Sequence, residues 1–283
     1  MKRKILTKQD FLQELKIFVE TLAEKISSND EWTMRGVIDI FEKIYPLPPD
    51  TKVLSKILEL HLFPHFLKFA EAINFKLELA EHQNWYPDLT FVSKEDSVIK
   101  FAVDLKTTYR DEKNPSFCNG FTLGSHGEYF VDRKSNKNVQ YPYGDYLGHF
   151  CVGIIYTRKI LRGNEFHNYS VEDLSKIPAV LRDFILFAEE KWKIAADNQG
   201  SGNTANIGSI KCIEDIIAGR GVFSLAGEKF FDEYWVNFGK LKVPDKKGGY
   251  KALSTFEEFL SFKGLPSNLN CPKQSKKRSA SNE

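Results

Sequence analysis

The stretch WYPDLTFVSKEDSVIKFAVDLKTTYR, residues 85–110, sets an apolar strand pattern against three charges, Asp88, Asp104 and Lys106. Turn-forming Lys94, Glu95, Asp96 and Ser97 separate two strand-like runs, 89–92 and 98–109. A turn centred on Asp96 pairs Phe91 with Phe101, Leu89 with Val103 and Asp88 with Asp104. Side chains alternate between the faces of a strand. Leu89, Phe91, Phe101, Val103 and Leu105 therefore share one side, and Asp88, Thr90, Ala102, Asp104 and Lys106 the other. A slip of one residue would push the apolar set into water, so the pattern fixes its own register. Directly opposed residues hold their Cβ atoms about 4.5–5.5 Å apart, which makes the two carboxylates close neighbours. Like charges in that position cost stability unless a cation sits between them.

A hard divalent cation with oxygen ligands suits such a pair, and Mg2+ keeps several waters for a phosphate and a nucleophile. Lys106, on the same face two residues past Asp104, can stabilise a phosphorane or help position and deprotonate an attacking water. The chemistry implied is metal-assisted phosphodiester hydrolysis. Pro87 fits a strand start, where no ladder N–H is required. The plainer reading is a solvated hairpin face with an ordinary Asp–Lys ion pair, and a pattern this short leaves both open.

The chain of 283 residues can bury a sizeable core, and its 42% hydrophobic, 28% charged and 13% aromatic content is that of a globular protein. The longest uncharged apolar run, 150–156, is too short to span a bilayer. Lys8 and Asp10 interrupt any signal-like apolar segment after the basic start. Cys118, Cys151, Cys212 and Cys271 form no CxxC pair, which argues against zinc and for reduced thiols in a cytoplasm. A net charge of +2 is modest, so any nucleic-acid contacts must come from local clusters. Candidates are Arg110 with Lys113, Arg133 with Lys134 and Lys137, and Arg158 with Lys159 and Arg162.

Thr7 and Asp10 start a helix expected to reach about Ser27, with Phe11, Leu15, Phe18 and Leu22 inward. Residues 37–45 read as a strand or hairpin. Asp50 caps a second helix with Val53, Leu54, Ile57 and Leu58 toward the core. Strands are expected over 75–80 and 149–158, the latter central. Residues 181–190 read as helical and 192–196 as strand-like, with a loop after them. Short helices are expected over 213–218, 230–238 and 256–262. No linker divides the chain, so 1–267 read as one domain and the Ser/Lys-rich 268–283 as a disordered basic tail.

Two further features carry possible chemistry. Glu59 lies on the polar helix face with Lys52 and Lys56; by itself it reads as an ion-pair partner, and beside the hairpin it could be a third carboxylate. The stretch DNQGSGNTANIGSI, residues 197–210, is neither a Walker loop nor a GxGxxG motif. It is either a long polar connection or a base-reading loop. Asn bonds bidentately to the adenine edge, Thr offers hydroxyl and methyl, and glycines allow close backbone approach.

Together these stretches resemble the EcoRV family of restriction endonucleases within the PD-(D/E)xK nucleases. The likeness lies in Lys43-Ile44-Tyr45-Pro46-Leu47, in Asp50-Thr51-Lys52-Val53-Leu54-Ser55 with Glu59, and in Gln83-Asn84 before Tyr86-Pro87-Asp88. It continues through Asp104-Leu105-Lys106-Thr107-Thr108-Tyr109, Tyr156-Thr157-Arg158 and residues 200–210. The resemblance implies an α/β fold with a central mixed β-sheet flanked by helices. It implies a homodimeric type II enzyme that requires Mg2+ and cuts double-stranded DNA at a short palindrome, GATATC with blunt ends in the family. A cognate DNA methyltransferase is then expected in the same cell without stable association. The resemblance carries over Asp88, Asp104 and Lys106 as the catalytic set, and Glu59 as an auxiliary carboxylate with Asp88 and Asp104 at the metal. It assigns Gly200, Ser201, Gly202, Asn203, Thr204, Ala205 and Asn206 to a major-groove recognition loop, and Gln83 and Asn84 to a minor-groove loop. Lys52, Thr107 and Thr108 are further DNA contacts on the same ground. Ala205 stands where the family has Thr, His82 replaces a glutamine, and 111–138 and the chain beyond about 215 match poorly.

Two other classes remain open at this level. A repair or junction nuclease would cut by DNA structure instead of sequence. A DNA-binding module could keep the scaffold and lose cleavage, although Asp88, Asp104 and Lys106 are intact. A methyltransferase is excluded, because neither an NPPY/DPPY tetrapeptide nor a glycine-rich cofactor motif is present.

Overall fold

The computed structural model describes residues 7–82, 84–159, 167–201, 205–245 and 248–271. Thr7 caps helix α1 (Lys8–Glu20) by accepting the Asp10 N–H at 3.2 Å. The helix expected to reach Ser27 breaks at Thr21, whose hydroxyl turns back to the Phe18 carbonyl, and resumes as α2 (Leu22–Ile26). Phe11, Leu15 and Leu22 are buried and Phe18 only partly. Strands β1 (Ser27–Ser28) and β2 (Glu31–Trp32) pair with each other. β3 (Gly36–Ile38) and β4 (Ile44–Pro46) form the expected hairpin. Asp50 accepts the Lys52 and Val53 N–H groups, both at 3.0 Å, and so caps α3 (Thr51–Ala72). Leu54, Leu58 and Leu62 form its buried stripe. Val53, expected inward, lies on the flank of that stripe and is exposed.

The chain continues through β5 (Phe75–Leu79), β6 (Leu89–Ser93), β7 (Lys100–Tyr109), β8 (Thr122–Ser125), α4 (Glu128–Val131) and β9 (Gly148–Arg158). Beyond them come β10 (Leu181–Glu190), β11 (Ala195–Gln199), β12 (Asn206–Ser209), α5 (Ile213–Ile217) and α6 (Glu228–Asn237). The hairpin β13 (Lys242–Pro244) with β14 (Tyr250–Ala252), and then α7 (Phe256–Phe262), complete the elements. Among the described residues the main sheet has seven strands in the order β1-β2-β10-β9-β7-β6-β5. β7 and β9 run parallel and the remaining neighbours antiparallel, so the sheet is mixed.

Apolar layers cover both faces of this sheet. On one, α1, α2 and α3 pack over Phe91, Phe101, Val103 and Leu105, with Phe11 stacked on Phe101 at a centroid distance of 4.2 Å. On the other, α5, α6, α7 and a three-stranded sheet, β11-β12-β8, pack over Ala102, Cys151 and Ile155. β9 is therefore buried on both faces, as a central parallel strand must be.

Three expectations need correction. Residues 181–190 form a strand, not a helix: the open edge of β9 supplies a ladder from Arg158 to Phe150 that overrides the helix preference of Glu189 and Glu190. Those two glutamates are buried yet paired, Glu189 with Lys16 and Glu190 with Lys8 and Lys193. Residues 191–193 form a 3-10 turn, so the strand expected at 192 starts only at Ala195. Much of the supposed loop at 197–210 is likewise strand. Gly208 makes that possible, because a Cβ there would lie 2.7 Å from the Asn198 carbonyl oxygen. Ser267–Leu269 form a short turn across the start of the segment read as a tail, and residues 272–283 lie outside the described residues.

Candidate active site

The hairpin register is the one its sequence pattern implies: Leu89 faces Val103, Thr90 faces Ala102 and Phe91 faces Phe101. The polar face is not a solvated one, since Thr90 and Ala102 are fully buried beneath the second layer. Only its far end opens, where Asp88, Asp104 and Lys106 line a cleft of about 490 Å³ with Asn84, Tyr86, Ser125, Tyr129 and Asn206.

Lys106 sits between the carboxylates, with Nζ 3.1 Å from Asp88 Oδ2 and 3.4 Å from Asp104 Oδ2. Asp88 Oδ2 also accepts the Leu105 N–H at 2.8 Å, and Asp104 Oδ1 accepts the Asp88 N–H at 3.3 Å. Asp104 thus holds the backbone of Asp88, Asp88 that of Leu105, and the two acids share one ammonium. Burial raises the pKa of Asp104, the Asp88 charge adds to that, and Lys106 and Lys191 oppose it. Burial works against the Lys106 charge too, but Asp104 and Asp88 outweigh it and hold its pKa well above the ordinary lysine value. Lys106 is consequently a fixed cation near neutral pH. A fixed ammonium there suits charge stabilisation and positioning.

Glu59 is not brought to this pair. It forms an ion pair with Lys56 and lines a neighbouring cleft of about 500 Å³ with Lys52, Ser55, Thr107, Thr108, Thr122 and Ser201. Lys106 lies on both clefts and is their common edge. Thr107 is held by a 2.5 Å hydroxyl contact to Ser55 on α3, while Thr108 is buried. Among the described residues no three His, Cys, Asp or Glu side chains gather around one metal position. Asp88 and Asp104 nevertheless fit a hard cation in donor chemistry, because two converging carboxylates neutralised by a single lysine retain lone pairs for one.

The expected recognition stretch, 200–206, lies between the end of β11 and the start of β12. Gly200 donates its N–H to the Asn206 carbonyl at 2.9 Å, and the Asn206 amide donates to the Ser201 carbonyl at 3.1 Å. The Ala205 carbonyl accepts the His126 N–H at 2.8 Å, which ties the stretch to the end of β8. Ser201 reaches the Glu59 cleft and Asn206 the carboxylate cleft. Gly202, Asn203, Thr204 and Gln83 lie outside the described residues, whereas Asn84 lines the carboxylate cleft. Several members of the basic clusters are engaged. Arg133 pairs with Asp232 at 2.6 Å, Lys137 with Glu128 at 2.8 Å, and Arg158 stacks over Tyr109 at 3.7 Å. Arg162 lies outside the described residues. Sequence reasoning missed Asn119, Thr122, Ser125 and Asn138 as cleft residues; they come from the segment that resembles the family least.

Residues 28–264 match the restriction endonuclease EcoRV family. The chain belongs to that family. The type II restriction enzyme EcoRV of Escherichia coli is 38% identical to it over 211 residues, covering 74% of this chain and 84% of that protein. A solved structure, the NlaIV restriction endonuclease, covers 74% of this chain and 68% of its own at 15% identity and a TM-score of 0.37, too loose a likeness to bear on function. Membership of the EcoRV family makes the chain a restriction endonuclease, which implies DNA as its substrate. Among the described residues no helix is long and apolar enough to cross a membrane.

Proposed function

We propose that the chain is a homodimeric, Mg2+-dependent type II restriction endonuclease that cuts double-stranded DNA at a short palindrome, with GATATC and blunt ends the first candidate. The observation that carries this is the juxtaposition in one cleft of Asp88, Asp104 and Lys106 with Asn206 at the start of β12. Asp88 and Asp104 would hold the metal, which when bound supplies Lewis-acid polarisation of the phosphate and a more acidic water. Asp88 is oriented by the Leu105 N–H and Asp104 by the Asp88 N–H. Lys106 holds a positive charge where the attacked phosphate gains negative charge. Glu59 takes the auxiliary place from the neighbouring cleft, where Lys52, Thr107 and Thr108 can meet the DNA backbone. Four free cysteines fit a reducing cytoplasm. A companion methyltransferase would protect the host's own sites. Digesting plasmid DNA with and without Mg2+ and sequencing the ends tests this reading. Fixed blunt ends within one palindrome support it, and structure-dependent nicking would replace it with a repair or junction nuclease.

On this reading the 200–206 segment contacts the base edges. Asn203→Ala should cost about 1–3 kcal/mol per half-site on cognate duplex and leave random duplex binding nearly unchanged. Titrating both duplexes in parallel checks it, and equal weakening would remove Asn203 from base readout.

Identical segments reading a palindrome require two-fold symmetry. The family resemblance points to two segments for the subunit contact, 33–45 and part of the strand at 149–158; the second is largely unavailable, because His149 to Tyr156 are buried within the sheet. The 33–45 segment suits the role: Val37, Ile38, Ile40, Phe41 and Tyr45 are all exposed, Ile40 by 90% and Phe41 by 75%. Phe41→Glu should shift the DNA-free protein from dimer to monomer at micromolar concentration in sedimentation runs. An unchanged dimer would move the contact elsewhere.

A further inference from the structure

Lys191 stands at the start of the turn between β10 and β11 and is only 3% exposed. Its Nζ has no hydrogen-bond partner among the described residues. The two carboxylates before it, Glu189 and Glu190, are engaged by Lys16, Lys8 and Lys193 and leave Lys191 to face the other way. There the ammonium meets ring faces: 5.0 Å from the centroid of Tyr86, 5.6 Å from Tyr143 and 5.9 Å from Phe130. Ring faces attract a cation, but they offset only part of the cost of taking an ammonium out of water. A methionine would fill the same space without that cost.

The location of the charge supplies the reason. A Cβ on Gly124 would lie 3.1 Å from Lys191 Nζ and 3.5 Å from the Tyr129 hydroxyl, so the ammonium lies directly behind the glycine backbone of the cleft wall. Gly124 and Tyr86 both line that cleft, together with Asp88, Asp104 and Lys106. Gly124 has a φ of +89°, which glycine adopts without strain. Asp88 and Asp104 carry two negative charges in the cleft and Lys106 one positive; Lys191 behind the wall brings the set to balance. Burial pushes its pKa down to about 8, with Asp104 opposing, so the charge persists near neutral pH.

We propose that Lys191 is a further residue of the cleavage reaction, a fixed positive charge behind the Gly124–Tyr86 wall that favours the negative charge gained by the attacked phosphate without touching it. This rests on the endonuclease reading above. Preorganised charge in a water-poor surrounding acts at longer range than in bulk water, and its value lies in being held in place before the reaction begins. The ring contacts with Tyr86, Tyr143 and Phe130 do the holding.

The test uses the full chain and Lys191→Met. Three quantities are read: melting temperature without metal, Kd for a cognate duplex without metal, and cleavage rate at saturating duplex with Mg2+. The expected result is an equal or higher melting temperature, a Kd within about threefold, and a rate lower by about 10- to 100-fold, below the loss for a contacting donor. Lys191→Arg keeps the charge, and wherever its melting temperature shows that it fits it should recover most of the rate. A full rate in the methionine variant would overturn the proposal. So would a lower melting temperature accompanied by weaker duplex binding, since that marks a packing residue. If the unaltered chain cleaves no DNA with Mg2+, the endonuclease reading itself falls and this proposal falls with it.

Discussion

Asp104→Asn is expected to abolish Mg2+-dependent cleavage and to leave the metal-free protein as stable as before, or more so. The loss of rate should be about a thousandfold or greater, the scale of several kcal/mol of lost metal-derived stabilisation. The stability side follows from burial. Asp104 is 5% exposed and its pKa is raised, by burial first and by the Asp88 charge second. A carboxyl whose folded pKa lies above its unfolded value binds its proton more tightly when folded. Its ionised form therefore weakens the fold at neutral pH, and stability recovers as pH falls through the folded pKa. Asparagine removes that burden. Asp88→Asn should be equally inactive but should not share the stability gain, because Asp88 Oδ2 accepts both the Leu105 N–H and the Lys106 ammonium. Losing those charge-assisted bonds costs about 1–2 kcal/mol. Melting curves with and without Mg2+ check both: the metal should raise the melting temperature of the unaltered chain more than that of either variant. Retained cleavage in either variant would return the hairpin to a structural ion pair.

Lys106→Met should be as damaging to cleavage, and it should also destabilise the fold. Its ammonium is all that separates Asp88 from Asp104. Removing one partner of a buried charge set costs about 3–5 kcal/mol, and the partial exposure of Lys106 and Asp88 brings the expectation to about 2–3 kcal/mol. The contribution of Lys106 is complete below the ordinary lysine pKa and is lost only as pH rises through its raised folded value, so across the neutral range it is constant. The deficit of the variant should instead shrink as pH falls toward the carboxylate range and Asp104 takes up its proton. Urea unfolding at two pH values reads this directly. A deficit that grows on acidification would contradict the shared-ammonium geometry.

The hairpin was legible because a period of two allows one register, and Asp50 because a cap is a local device. β10 was not legible. Glu189 and Glu190 favour a helix in isolation, and only the edge of β9 and the lysines of α1 and the adjoining turn make them strand residues. Glu59 shows a second limit. Its pairing with Lys56 could be read from helix spacing, but its separation from Asp88 and Asp104 depends on where α3 meets β7. Lys191 shows a third, because its meaning comes from Tyr86, Gly124 and Tyr143, all remote in sequence.

The place of Phe11 has a wider consequence. Likeness to the family begins at residue 28, yet Phe11 is fully buried and packs against Phe69, Phe75, Phe91, Phe101 and Phe150. Kinship and cooperativity therefore draw different borders on this molecule. A piece trimmed to the recognisable ancestry would strip α1 and α2 from the rings of β6, β7 and β9, and the strand that carries Asp104 and Lys106 would lose part of its backing. A segment outside the family match thus helps hold the strand on which the cleft's Asp104 and Lys106 stand.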